Sequence, residues 1–413
     1  MAAPEDVTTV VDKLYRRHFG RLVAAILRHA GLDDIETAED LVQETFLAAC
    51  KNWTEHVIPE KPEAWLFRVC RNKALNLMRA ANNEEPQVDT VQFAADLLDE
   101  DAIKDDLLKM LFACASPVIS PRAQVIMILK YVVNLRTEEI AAAFGSGQEA
   151  ITKLLQRSRL KFQEGGINVR LPLMGQPQER LPVVHKAIYL IFNAGYKASG
   201  DRVINADLCL EAVALMRALL ESEVCNHETK PLYALLLFNA SRFEARTGAG
   251  GELLDLENQD RLRWSHPMVS LATAIFRSCR HDEMLSVYHI EASISYLHCI
   301  SPSFGETDWR TIAGLYLRLK QYNPSPFVEL SRATAVLFSG EPALAMSILN
   351  ELGKQHWMAK YYLFQVTRGK VLKRLGKNKE ALTCFRNALL RISSVPEQQY
   401  IGKLILEAEL QVV

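Results

Sequence analysis

Along this 413-residue chain, apolar residues recur mostly at intervals of three and four, and β-branched alternation of period two is rare. That pattern predicts an all-α protein. Helical segments are expected over roughly 8–30, 36–52, 62–81, 105–115, 120–133, 137–144 and 148–163. Two stretches interrupt the periodicity. Between Asn82 and Asp105 an acidic run containing Pro86 reads as a linker. The segment from Glu164 to Pro182 carries three glycines and three prolines and marks a second boundary. The expected organisation is therefore residues 7–83, a linker over 84–106, residues 107–166, and a helical C-terminal part over 167–413.

Near the C-terminus the pattern repeats. In "TRGKVLKRLGKNKEALTCFRNAL", Gly369, Gly376, Ala381, Phe385 and Ala388 stand at tetratricopeptide spacing. Small residues suit a close helix crossing, Gly376 suits a helix end, and Phe385 suits the groove between. Thirty-six residues earlier, Ala333, Gly340, Ala345 and Leu349 fall at equivalent points. The periodicity degrades upstream, so the domain is repeat-like with atypical early hairpins, and an irregular helical bundle stays open as the plainer reading.

Polar positions on three predicted helices carry the candidate chemistry. In "RTEEIAAAFGSGQEAITKLLQRSRLKF", Thr137 suits an N-cap, and Glu138 and Glu139 suit the positive end of a helix. Gly145 and Gly147 permit a sharp turn before a second helix starting near Gln148. Ile151, Leu154, Leu155, Ser158 and Phe162 then face inward, leaving Gln148, Glu149, Thr152, Lys153, Gln156 and Arg157 outward. In a helix-turn-helix, early outward residues of the second helix meet base edges in the major groove. Later cations such as Arg157, Arg159 and Lys161 suit phosphates. Upstream, "DDIETAEDLVQETFLAACKNW" turns Leu41, Val42, Thr45, Phe46 and Ala49 inward and Asp40, Gln43 and Glu44 outward. Its neighbour "KPEAWLFRVCRNKALNLMRA" packs Trp65, Leu66, Val69, Ala74 and Leu77 and shows Arg68, Arg71, Asn72, Lys73, Asn76 and Arg79. A cationic helix with amides suits unstacked nucleic acid, whereas an acidic one suits a protein partner. A solvated face explains either helix alone; their order with the helix pair points further.

Charge changes the picture only when read locally. The formal net charge is −1. Residues 84–106 carry nine acids and one base, while 107–170 carry nine bases and four acids. A ligand feels such patches within about 8 Å at physiological salt, so overall neutrality is no objection to DNA binding. The N-terminus shows no signal-peptide pattern, and no run of about 18 apolar residues appears. Eight scattered cysteines read as reduced cytosolic thiols. No CxxC or HExxH spacing supports a metal site. The polar run Glu257, Gln259, Asp260, Arg261, Trp264 lacks nucleophile–base spacing and reads as a buried network pinning helices. The chain is therefore expected to be no enzyme, to need no cofactor, and to be cytoplasmic.

Taken together, these segments resemble a bacterial sigma factor of the extracytoplasmic-function type. "AEDLVQETFLAA" looks like that family's polymerase-binding helix, "WLFRVCRNKALNLMR" like its −10-reading helix, and residues 119–162 like its −35-reading domain. "AIYLIFNAGY", "LLDLENQDRLRW", "TDWRTIAGLYLRL" and "NPSPFVELSRATAV" are similar to the subgroup with a fused C-terminal tetratricopeptide-like domain. The resemblance implies a promoter-specificity subunit, with regions 2 and 4 as small helical domains. Asp40, Gln43 and Glu44 would touch the β′ clamp helices of core RNA polymerase. The cationic row from Arg68 to Arg79 would engage the −10 element, and the loop over 52–62 a flipped base. The row from Gln148 to Lys161 would engage the −35 element, with the β flap as a second polymerase contact. The acidic linker would thread toward the RNA-exit channel, and the C-terminal domain would tune activity or dock an unknown protein regulator. Ser146 and Leu154 depart from the family's pattern in the −35 domain, and Ala194 and "RTGAGGE" depart in the C-terminal part. An autonomous helix-turn-helix transcription regulator with a repeat domain for protein partners is the alternative reading.

Overall fold

A computed structural model describes residues 7–29, 35–53, 58–82, 100–164, 177–197, 200, 202–279 and 284–411. Among the described residues there is no strand, only an isolated bridge between Thr247 and Leu253. The fold is all-helical, as the periodicity predicts. Helices α1 (Val7–His29), α2 (Ile35–Asn52) and α3 (Pro62–Asn82) are followed by α4 (Glu100–Cys114), α5 (Pro121–Tyr131), α6 (Thr137–Phe144) and α7 (Gln148–Glu164). Helix α4 starts inside the predicted linker, where no Gly or Pro stands between Pro86 and Pro117 to bar helical backbone. The remaining predicted linker, residues 84–99, lies outside the described residues.

Contacts gather the chain into two compact units, Met1–Ala194 with Ala214–Asn226, and Gly195–Val213 with His227–Val413. The first division falls later than the sequence boundary at 166–167. Helix α8 (Pro177–Tyr196) belongs largely to the first unit, where Arg180 donates to the Phe112 carbonyl of α4 at 3.0 Å.

In the first unit α1 is the central strut. Phe19, Leu22, Val23, Ala24 and Ile26 are fully buried against neighbouring helices. Gly20 lets the backbones meet, since a Cβ there would overlap the Val132 carbonyl just past α5. His18 lies in this core, edge-on to Phe67 at 6.0 Å, with neither ring nitrogen hydrogen-bonded. Burial, reinforced by Arg21 and Arg17, pulls its pKa down to about 4. The unfolded chain protonates this ring at about 6.5, so the unfolded state binds more protons between the two values. Stability is then full above about pH 6.5 and is lost as pH falls toward 4. At pH 5 the loss should be about 2 kcal/mol, and His18→Leu should flatten this part of the profile, read as urea midpoints at pH 7 and pH 5.

The second unit follows with α9 (Ala206–Glu221, shared with the first), α10 (Thr229–Ala240), α11 (His266–Ser278), α12 (Val287–Ile300) and α13 (Trp309–Tyr322). Then come α14 (Pro326–Phe338), α15 (Pro342–Gly353), the single turn α16 (His356–Ala359), α17 (Tyr362–Arg374), α18 (Asn378–Leu389) and α19 (Val395–Leu410). Two hairpins, α14–α15 and α17–α18, realise the 36-residue correspondence. Ala333, Ala345 and Leu349 are buried in one, and Gly369, Ala381 and Phe385 at the equivalent points of the other. Gly340 and Gly376 end the first helix of each at φ 93° and 75°, the left-handed region that glycine enters without strain. A Cβ at residue 369 would clash with the Phe385 ring, so the two helices cross at this glycine.

The run from Gln259 to Trp264 is structural. Asp260 accepts from Leu262 N–H at 2.9 Å, and Gln259 donates to Leu254 O at 3.0 Å. Arg261 donates to the carbonyls of His298 and Ser301 at the end of α12, and its guanidinium lies 4.6 Å from the Trp264 ring centroid. Arg246 donates to Tyr196 O at 2.6 Å. These arginines sit at helix C-termini, where carbonyl partial charge offsets the cost of their burial.

Candidate nucleic-acid interface

Helix α2 carries two opposed faces. Leu41, Val42, Thr45, Phe46 and Ala49 are buried, and Asp40, Gln43 and Glu44 are exposed, as the spacing predicts. Helix α3 lies beside it with Arg68, Asn72, Asn76 and Arg79 exposed and Arg71 and Lys73 half-buried. The two rows touch where Lys73 donates to Glu44 at 2.7 Å. Glu44 is exposed and Lys73 half-buried, so the solvent-screened pair contributes about 1 kcal/mol or less and separates readily for a ligand. One packing expectation fails. Leu77 is exposed; Leu66, Phe67, Cys70, Ala74 and Leu75 fill the interior. Trp53 and Trp65 meet edge to face at 5.2 Å beside the predicted base-cradling loop, of which residues 54–57 lie outside the described residues.

Helices α5, α6 and α7 form a second candidate surface. Ser120 caps α5, accepting from Ala123 N–H at 3.4 Å, and Pro121 occupies its first turn. Arg136, not Thr137, is the N-cap of α6; the Glu139 carboxylate accepts from its backbone N–H at 2.8 Å, half of a capping box. Gly145 adopts φ 58°, and Ser146 N–H reaches back to Ala141 O at 2.9 Å, so the chain turns sharply into α7. Ile151, Leu155 and Ser158 are buried there, with Leu154 and Phe162 half-buried. Gln148, Glu149, Thr152, Lys153, Gln156, Arg157 and Lys161 are exposed. Three of them are paired along the surface, Lys153 with Glu149 at 2.6 Å and Gln148 with Glu138 at 2.5 Å.

The chain matches the sigma-70 region 2 family over residues 14–84, and over 180–280 it matches DUF6596, a family of unknown function. It is 34% identical to the uncharacterized protein R00370 of Rhizobium meliloti over 92% of this chain and 91% of that protein. The chain belongs to the same family as R00370. It is also 26% identical to the ECF RNA polymerase sigma factor SigG of Mycobacterium tuberculosis, over 36% of this chain and 46% of SigG. A third relative, the RNA polymerase sigma factor YlaC of Bacillus subtilis, is 22% identical over 37% of this chain and 90% of YlaC. No solved structure matches. These findings support a sigma factor of the extracytoplasmic-function type, with α1–α3 as its region 2.

One predicted DNA contact sits elsewhere. Arg159 does not face solvent with its neighbours on α7. It ion-pairs with Glu39 at 2.8 Å and with Glu36 at 3.4 Å, both on region 2, and donates from Nε to the Tyr131 hydroxyl of α5. The reason is tertiary: on an isolated helix it would be solvent-exposed, but the first turn of α2 packs over it. Sequence reading also missed Arg122, whose exposed guanidinium donates to Ser146 and lies 5.5 Å from the Phe144 ring centroid, beside the α6–α7 turn. Its signal was Ser146 itself, a hydroxyl where an apolar residue is usual. Among the described residues no group of three or more His, Cys, Asp or Glu could hold a metal, and no helix is long and apolar enough to cross a membrane. The eight cysteines are free thiols, five of them buried, and burial pushes Cys70, Cys114 and Cys209 up to about 12, where they are unreactive at neutral pH.

Proposed function

We propose that this chain directs core RNA polymerase to promoters, with its own helical second unit tuning that activity. The observation that carries the reading is the region 2 match together with an acidic row and a cationic row exposed side by side on α2 and α3. Asp40, Gln43 and Glu44 offer carboxylates and an amide to a basic protein partner, the polymerase β′ clamp. Arg68, Arg71, Asn72, Lys73, Asn76 and Arg79 offer cations and amides to phosphates and unstacked bases of the −10 element.

The α6–α7 pair acts as the −35 helix-turn-helix, with the polymerase β flap beside it. Gln148, Glu149, Thr152, Lys153 and Gln156 lie early on α7, where a recognition helix meets base edges, and Arg157 and Lys161 lie further along for phosphates. The few cations on this face give weak binding to DNA alone, so the polymerase supplies the remaining grip. The repeat-like hairpins present a surface for a protein regulator, held at high effective concentration by the covalent link. The chemistry of nucleotide addition stays with the polymerase, and this chain contributes binding and melting.

A gel-shift experiment separates this from an autonomous DNA regulator. The chain alone should give no sequence-specific complex at physiological salt, and adding core polymerase should produce one. A tight operator complex without polymerase, unchanged when core is added, would instead favour the autonomous regulator.

A further inference from the structure

Three arginines of the second unit gather without an acid. Arg242 precedes and Arg246 ends the short 3-10 turn after α10, both buried, and half-buried Arg261 opens the run to Trp264. Among the described residues none of the three forms an ion pair. Asp260, next to Arg261, turns its carboxylate to Leu262 N–H instead. Glu397 acts on Arg246 only through space, and its own carboxylate takes the Tyr362 hydroxyl. Burial lowers the pKa of Arg246 and of Arg261, and Arg242 pushes both the same way. Burial, reinforced by Arg242 and Arg261, pulls His298 down to about 3, so its ring is neutral beside them.

Neutral acceptors offset part of this charge. Arg261 commits both terminal nitrogens, to the His298 and Ser301 carbonyls and the Thr307 hydroxyl. Arg246 donates to Tyr196 O, and Arg242 donates to Asn239. What remains is a set of donors: Arg242 Nε–H, Arg261 Nε–H and Trp264 Nε1–H are buried with no hydrogen-bond partner. Both guanidiniums lie against that one indole, 5.7 and 4.6 Å from its ring centroid. An unmade hydrogen bond is costly on a buried donor, and more so on a charged one.

A water would satisfy the donors and leave the charge. An oxyanion satisfies both. With the Arg261 fork already filled, the free groups are single N–H donors from three side chains. That suits a phosphoryl group, whose oxygens accept from several directions, over a planar carboxylate, which pairs best with an open fork. Solvent reaches the cluster on the side of Arg261, which lies between exposed Asp260 and exposed Leu262.

We propose that Arg242, Arg261 and Trp264 form a binding site for a phosphoryl group within the second unit, with Arg246 adding positive potential. Occupancy ties the turn after α10 to the run at 259–264 and to the end of α12, so phosphate or a small phosphate ester stiffens this unit. The site stands whether or not the chain acts at promoters.

The test uses the full chain, titrated calorimetrically with sodium phosphate against sodium chloride at matched ionic strength, with hydrogen exchange followed by mass spectrometry. Phosphate at about ten times its Kd should slow exchange roughly tenfold over 241–247 and 259–264. Acetate should bind at least about tenfold more weakly than phosphate, the loss of about one charge-assisted hydrogen bond. Trp264→Phe keeps an aromatic ring against both guanidiniums and removes the N–H, so it should weaken phosphate about tenfold. Arg261→Met should abolish the protection; because it also unties the end of α12, Trp264→Phe decides the matter where that variant does not fold. Glycerol phosphate distinguishes the sources: protection of the same segments by the ester supports a phosphorylated metabolite, and protection by phosphate alone supports the free ion. Native phosphate affinity in Trp264→Phe, acetate bound as tightly as phosphate, or an effect that chloride matches would each overturn the site. Protection confined to α3 or α7 would place the ion on the cationic rows of the first unit and overturn it equally.

Discussion

Asp255→Ala should loosen the second unit by about 3 kcal/mol, seen as roughly hundredfold faster hydrogen exchange in α17 and α19. Asp255 takes the Lys370 ammonium of α17 at 2.5 Å, the Tyr400 hydroxyl of α19 at 2.9 Å and the Asn258 amide at 2.7 Å. Burial alone would raise its pKa, but Lys370, Tyr400 and Asn258 more than reverse this and hold the carboxyl below its ordinary range. Burial would likewise lower Lys370, yet Tyr400 and Asp255 leave it raised. Removing the acid leaves a nearly buried ammonium with only Glu257, 3.8 Å away, as counter-charge. Lys370→Met should cost less, about 1–2 kcal/mol, because Asp255 keeps its two neutral donors. Equal effects from the two substitutions would contradict this division of roles.

The double charge reversal Asp40→Lys, Glu44→Lys should weaken association with core polymerase about a hundredfold, close to 3 kcal/mol, since it sets cations where a basic partner face is proposed. Glu44→Lys also places a cation against Lys73, so the single variant Asp40→Lys serves as the cleaner measure. Loss of the Lys73–Glu44 pair contributes little, because Glu44 is exposed and solvent screens the pair. Fluorescence anisotropy of labelled chain titrated with core reads the affinity. An unchanged affinity with a native melting curve would move the polymerase contact away from α2.

Much of this was legible in the chain because the deciding physics is local. Helix limits follow from three–four periodicity and from Gly and Pro, so α2, α3, α6 and α7 begin and end within two residues of expectation. The hairpin pairs were legible for the same reason: Gly369 and Phe385 need each other, and Gly340 and Gly376 end their helices wherever the tertiary fold places them. What escaped depended on partners distant in sequence. Arg159 is two residues from both Arg157 and Lys161, hence on the opposite side of α7 and on that of buried Leu155, but its ion-pair partners Glu36 and Glu39 come from α2, far away in sequence. Leu77 keeps the apolar spacing of α3 yet is exposed, which the spacing alone does not reveal. Arg122 became a candidate only once the turn at Ser146 came within its reach.

The proposed role of α2, α3 and α7 in promoter selection is tested most directly by run-off transcription with core RNA polymerase on a panel of promoter fragments, with and without the full chain. Promoter-directed transcripts should appear only when the chain is present, and should vanish with the Asp40→Lys, Glu44→Lys variant. No transcript on any fragment, from a chain that forms a stable complex with the same DNA in the absence of polymerase, would contradict it.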